Sequence, residues 1–274
     1  MLKVSLLPMV GLVLAACASA PAGVPSLGAA DYAAILSDPA RAEADKKDDA
    51  ARRPAEVLAF AGIRPGATIL EMEVGRGWYT EILAPFTKDK GRLIVAAPEG
   101  RATEGITKFL ASNHDVYGKV EKVNFPSLLG GTGVAAGTAD AVVTFRNVHN
   151  WRMGSYKPDN ADYSVEAFKE LYAMLKPGGV LGIEDHRLPE GASEERERQS
   201  GYLKASTVRR LAEQAGFKFA GSSEINANPK DTKDYPKGVW TLPPRLAEGD
   251  TDRAKYLAIG ESDRMTLKFV KPAR

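Results

Sequence analysis

One cysteine, Cys17, in 274 residues excludes an internal disulfide. Charge of a single sign is lacking too. The 37 basic and 35 acidic residues leave +2, with no excess to neutralise phosphates, so nucleic acid is not the expected partner. Histidine is scarce, with three residues. No internal repeat is visible, and the one apolar run that concerns a membrane lies at the N-terminus. What remains is 44% apolar and 26% charged, the profile of a globular protein rather than a disordered chain. The length allows one large domain or two small ones.

Residues 1–17 read MLKVSLLPMVGLVLAAC. Lys3 supplies a short positive start, an apolar stretch follows, and small residues then gather at Ala15, Ala16 and Ala18. That order reads as an export signal, too short for a comfortable membrane span. Leu14-Ala15-Ala16-Cys17 also looks like a bacterial lipobox, in which the cysteine is lipidated and begins the mature chain. The expectation is a signal over 1–16, lipidation at Cys17, and an exported protein of the periplasm or outer membrane, held by a lipid anchor. Residues 17–37 read as a tether and the start of N-terminal helices, and 38–274 as one domain.

From residue 67 onward, strand and helix signals alternate. ATILEME, RLIVAA, ADAVVTF and MTLKFV read as strands, and 54–63, 104–112, 165–175 and 207–215 as helices. Pro54 suits a first helical turn. Lys176-Pro177-Gly178-Gly179 reads as a helix stop before a strand over 180–184. Alternation of this kind implies an α/β fold with a mostly parallel sheet covered on both faces. Ligands of such sheets bind beyond the carboxyl ends of the strands, here the loops after residues 73, 97, 145 and 184.

Three segments carry chemistry at those ends. In TILEMEVGRGWYTEIL, glycines between strand and helix permit close approach of a ligand, although an ordinary strand-to-helix turn has the same look. In DAVVTFRNVHNW, a buried-type strand runs into Arg146, Asn147, His149, Asn150 and Trp151. In LKPGGVLGIEDHR, a strand ends in Glu184, Asp185 and His186, of which the last two are candidates for acid-base work.

With those residues in view, the chain resembles the class I S-adenosylmethionine (SAM)-dependent methyltransferases. More closely it resembles a bacterial group of predicted methyltransferases with export signals. GWYTEILAP, TFRNVHNW, LKPGGVLGIEDHR, SEINANPKDTKDYPKGVWTLPP and YLAIGESDRMTLKFVKP carry the resemblance, which spans roughly residues 38–272. It implies a Rossmann-like sheet of seven strands in the order 3-2-1-4-5-7-6, the last antiparallel, and S-adenosyl-L-methionine as cofactor. By position, Glu71, Glu73, Gly75, Gly77, Glu99 and Asn147 fall in the cofactor region. Glu71 matches the acid ending the first strand, and Gly75 and Gly77 match the later glycines of its loop. Two positions depart from the pattern. Glu73 stands where the pattern has glycine, and its carboxylate would crowd the backbone and repel that of SAM. The second strand ends in Ala97 instead of the acid that grips ribose, with Glu99 two residues on.

His149 and His186 end strands that this order makes neighbours. They are the catalytic candidates together with Asp185, as a base and its orienting partner, for proton removal from a small-molecule acceptor. With Asp185 or Glu184 they also have the composition of a two-His, one-carboxylate metal set, although no metal ligand is assigned. Residues 228–262 are long for a connection and read as a lid or a surface flap. The leading expectation is methyl transfer to a small molecule. The alternatives are a lipoprotein that binds a ligand without transfer and a metal-dependent enzyme built on His149 and His186.

Overall fold

The computed structural model describes residues 27, 29–126 and 133–273. The expected export signal, Cys17 and most of the tether lie outside them.

Among the described residues, eight strands form one sheet: β1 (Thr68–Met72), β2 (Arg92–Ala97), β3 (Glu121–Asn124), β4 (Ala139–Phe145), β5 (Leu175–Leu188), β6 (Leu203–Lys204), β7 (Lys218–Ser223) and β8 (Arg264–Val270). Their order is β3-β2-β1-β4-β5-β8-β7, with the two-residue β6 paired to β5 off this path. β8 runs antiparallel to β5 and β7, while the pairs from β3 to β5 are parallel. The path is the expected order of seven strands, with β6 as an addition.

Both sheet faces are covered, and the period of two in each strand distributes side chains between them. Leu70, Ile94, Val142 and Leu181 pack with Phe168 and Leu171 of helix Ser164–Met174 and Val208 and Leu211 of helix Ala205–Gln214. Ile69, Leu93, Ala141 and Val143 face the other way, onto Leu58 of helix Pro54–Ala61 and Ile82 and Leu83 of helix Thr80–Thr87. Each such valine, leucine, isoleucine or phenylalanine side chain removed from water contributes about 1.5–3 kcal/mol.

The expected stop at Lys176-Pro177-Gly178-Gly179 differs from what is observed. Helix Ser164–Met174 does end there, but β5 begins at Leu175 and carries the segment within its ladder. Gly178 donates its amide to the Lys271 carbonyl at 2.8 Å, and the Lys271 amide reaches Gly179 O at 2.8 Å. The last residues of the chain thus hydrogen-bond a segment that local signals read as a turn. β5 also continues past residue 184 to Leu188, because β8 pairs with it as far as His186 and β6 takes over at Arg187.

Candidate active site

β1 lies between β2 and β4, so the chain leaves β1 toward one side and β4 toward the other. The crevice this opens beyond the strand ends holds a cavity of about 330 Å³. Its walls come from the β1 end (Glu71, Glu73, Gly75, Arg76), the β4 end (Phe145, Arg146, Asn147, His149), His186 of β5, and the segment from Val239 to Arg245.

The two strand-end loops are held in unusual backbone conformations. Glu73 and Arg146 have φ of 49° and 61°, a left-handed region that costs a non-glycine residue of order 1–3 kcal/mol and clusters at functional sites. Asn147 links the two loops. Its amide nitrogen donates to Met72 O at 3.0 Å and Glu73 O at 3.2 Å, so it clamps the β1 end while lining the cavity.

Glu73 keeps the backbone conformation that a glycine would take, and its side chain is buried. The indole N–H of Trp151 donates to one carboxyl oxygen, and the other has no hydrogen-bond partner. Burial raises its pKa to about 8, against hydrogen bonds from Trp151 and Asn150 that lower it. Glu71 is likewise raised to about 8 by burial, against the hydroxyl of Thr80, which donates to it at 2.7 Å. Both carboxyls are therefore mainly protonated at neutral pH. The repulsion expected from a carboxylate at position 73 is correspondingly absent there.

The expected cofactor positions separate. Glu71, Glu73, Gly75 and Asn147 border the cavity. Gly77 does not: a Cβ there would stand 2.7 Å from the Phe109 ring, so this glycine makes room for a core side chain instead of a ligand. Glu99 does not either. It is exposed beyond β2, and Ala97 is buried in the strand. Gly75 is open, with nothing within 4 Å of a Cβ placed on it. Among the described residues, the amides of Val74, Gly75 and Arg76 donate to no other residue.

The catalytic candidates converge. Asp185 is fully buried, and one oxygen lies 2.8 Å from His149 Nδ1. The same oxygen accepts from the His186 amide at 2.8 Å, and the other accepts from the His149 amide at 3.1 Å. A carboxylate so placed selects the His149 tautomer with the proton on Nδ1, leaving Nε2 as the acceptor. His186 Nδ1 lies 2.6 Å from Ser262 Oγ, and the two imidazole rings are 5.0 Å apart. Burial, then neighbouring His149 and two nearby arginines, hold the His186 pKa well below its usual range, so its ring is neutral.

One ligand-capable atom from each of His149, Asp185 and His186 lies within 4.8 Å of the others. A metal reading is limited by Asp185, whose oxygens are engaged by the Nδ1 of His149 and two backbone amides. Two ring nitrogens remain, and the Asp185 contact holds the His149 ring in one orientation.

Several wall residues stand inside or beside the segments that carry the resemblance but are not among the expected site residues. Tyr79 and Phe145 stack with centroids 3.4 Å apart, with Tyr79 buried and Phe145 partly exposed at the wall. Arg52 ends the short helix Asp49–Arg52. Val239, Trp240, Leu242 and Arg245 come from the long 228–262 segment, which is docked rather than loose: the Val239 amide donates to Ser200 O at 2.8 Å, and Tyr202 OH to Asp231 at 3.0 Å. Aromatic and proline content in that segment was the available signal.

No family model matches the chain, and no curated protein matches it either. Solved structures do. A SAM-dependent methyltransferase from Aquifex aeolicus superposes with a TM-score of 0.54 at 15% identity, over 89% of this chain and 99% of its own. The [4+2]-cyclase SpnF superposes with a TM-score of 0.55 at 14% identity, over 87% of this chain and 86% of its own. At such identities the likeness establishes the fold, a Rossmann-like methyltransferase fold, and leaves the chemistry to the site.

Proposed function

We propose that this chain is a SAM-dependent methyltransferase of the cell envelope acting on a small-molecule acceptor. The observation that carries the reading is His149, oriented by buried Asp185 at the wall of a cavity where this fold binds its ligands. The β1 loop fits the methionine end of SAM. Gly75 is open, neighbouring amides are undonated, and Glu73 is mainly protonated. Glu73, Gly75 and Asn147 would hold the cofactor, which when bound supplies an electrophilic methyl group on a sulfonium.

The chain's own residues do the rest. Half-buried Phe145, held by its stack on buried Tyr79, offers an apolar surface to position an acceptor. His149 Nε2 accepts the proton of an acceptor hydroxyl or amine, and Asp185 stabilises the imidazolium that forms. Neutral His186 beside it adds no positive charge to oppose that protonation. Residues 1–16 direct export, and Cys17 carries the lipid. Palmitate labelling of the wild type that is lost in Cys17→Ser tests this part.

A specific observation favours a second reading, ligand binding without transfer. β2 ends in Ala97, and Glu99 stands outside the cavity wall, so no acid there reaches a ribose within the cavity. Calorimetric titration of SAM and S-adenosylhomocysteine into the chain beginning at Ala18 separates the two. Micromolar affinity supports methyl transfer. Folded protein that takes up neither ligand at millimolar concentration leaves the binding reading.

A further inference from the structure

A cluster of three arginines and two glutamates lies behind the β4 and β5 ends. Arg52 pairs with Glu261 at 2.7 Å and Asp48 at 2.8 Å. Arg264 pairs with Glu184 at 2.9 Å and Glu261 at 2.8 Å. Arg146 is left over. Its amide donates to Glu184 O at 2.7 Å, but among the described residues its guanidinium makes no hydrogen bond or ion pair. Burial, then the Arg52 charge, push its pKa down, although a guanidinium remains protonated at any working pH.

A half-buried guanidinium without a partner is available to an anionic ligand. This one borders the cavity, as do Arg76 and Arg245, which are exposed at its mouth and likewise have no ion pair among the described residues. The acidic groups in the same wall do not offset these charges, because Glu71 and Glu73 are mainly protonated at neutral pH. The cavity is therefore electropositive in a chain whose formal charge is only +2.

We propose that Arg146, with Arg76 and Arg245 at the mouth, forms an anion subsite, and that the acceptor is an organic anion bearing a carboxylate or phosphate. The planar fork of Arg146 matches two oxygens of either group. Half-buried Phe145 in the same wall, stacked on Tyr79, suits an apolar body attached to the anionic head. Arg76 and Arg245, in water, act mainly on encounter and on salt dependence. The assignment of this anion as methyl acceptor rests on the methyl-transfer reading, whereas the subsite itself does not. A carboxylate at Arg146 has a second possible source, the methionine part of SAM.

The test is titration of the detergent-solubilised full chain with benzoate, neutral benzamide and inorganic phosphate, with and without saturating S-adenosylhomocysteine. Benzoate is expected to bind, benzamide about tenfold more weakly or worse, and phosphate to compete with benzoate. Arg146→Gln should weaken benzoate by about tenfold or more. Arg76→Gln and Arg245→Gln should each weaken it by roughly two- to fivefold and flatten its salt dependence. These two exposed positions keep the test informative if Arg146→Gln fails to fold. S-Adenosylhomocysteine should leave benzoate affinity unchanged.

Equal binding of benzamide, or wild-type affinity in folded Arg146→Gln, overturns the subsite. So does no binding of benzoate or phosphate at about 10 mM. Competitive displacement of benzoate by S-adenosylhomocysteine assigns Arg146 to the cofactor carboxylate and overturns the acceptor proposal. Arg146-dependent benzoate binding in a protein that ignores S-adenosylhomocysteine upholds the subsite while the methyl-transfer reading fails.

Discussion

Asp185 Oδ1 sits 2.8 Å from His149 Nδ1, across 36 residues of chain. The two side chains arrive from β5 and from the helix that follows β4, strands that pair in parallel up to Phe145 and Glu184. The contact fixes one ring nitrogen of His149 and leaves the other for chemistry.

Replacing Asp185 by Asn should disrupt that arrangement, because an amide cannot accept from the imidazole and both backbone N–H groups at once. We expect stability to fall by about 2–4 kcal/mol and methyl transfer, once an acceptor is in hand, to fall by about two to four orders of magnitude. Nitrogen-15 spectra should show the Nδ1–H tautomer of His149 in the wild type and its loss in Asp185→Asn. An unchanged tautomer would remove Asp185 from the role of orienting group.

Glu71 and Glu73 titrate near 8 in the folded protein but near 4.5 when unfolded. Between those values the folded chain holds protons that the unfolded chain has released, so their contribution to stability falls as pH rises from about 4.5 through about 8. Glu73→Gln retains an acceptor for the Trp151 indole and removes one of these ionisations. The variant should match the wild type near pH 5 and exceed it by roughly 1–3 kcal/mol at pH 8. Denaturant titrations at several pH values decide it, and parallel profiles would mean that Glu73 is ionised in the folded state.

Arg264 is buried between Glu184 and Glu261 and also donates to Ala51 O at 3.0 Å, tying the N-terminal helices to the sheet. Arg264→Met takes away the ion-pair partner of buried Glu184 and one of the two arginines on Glu261, and should cost roughly 3–5 kcal/mol. A urea midpoint that shifts by less than the equivalent of about 1 kcal/mol would show that the pair is dispensable.

Gly238 has φ of 55°, and a Cβ there would lie 2.2 Å from Ser200 O. Gly238→Ala should cost about 2–4 kcal/mol and displace the adjoining Val239 and Trp240 from the cavity wall, with a shift in tryptophan emission. Gly249 also has positive φ, 65°, but has open space around it. Gly249→Ala is therefore expected to cost only about 1 kcal/mol. Equal costs at the two positions would rule out the Ser200 contact as the cause.

Periodicity and punctuation alone determined the alternating strands and helices, since a strand such as ADAVVTF has few ways to bury its apolar side chains. The placement of His149, Asp185 and His186 near one another followed from parallel pairing of β4 with β5. Gly75 and Gly77 look alike in sequence, however, and only packing separates them: Phe109 fills the space beside one and the cavity opens beside the other. Glu73 reads locally as a repulsive carboxylate. Its protonation depends on burial and on Trp151, a residue 78 positions away. Arg52 and Arg245 reach the cavity from outside the quoted segments, and Arg146 is left unpaired while Arg52 and Arg264 take the nearby carboxylates. Local sequence fixes which way a strand's side chains alternate. Which charges find partners is decided by contacts between distant segments, and those exist only once the sheet is assembled.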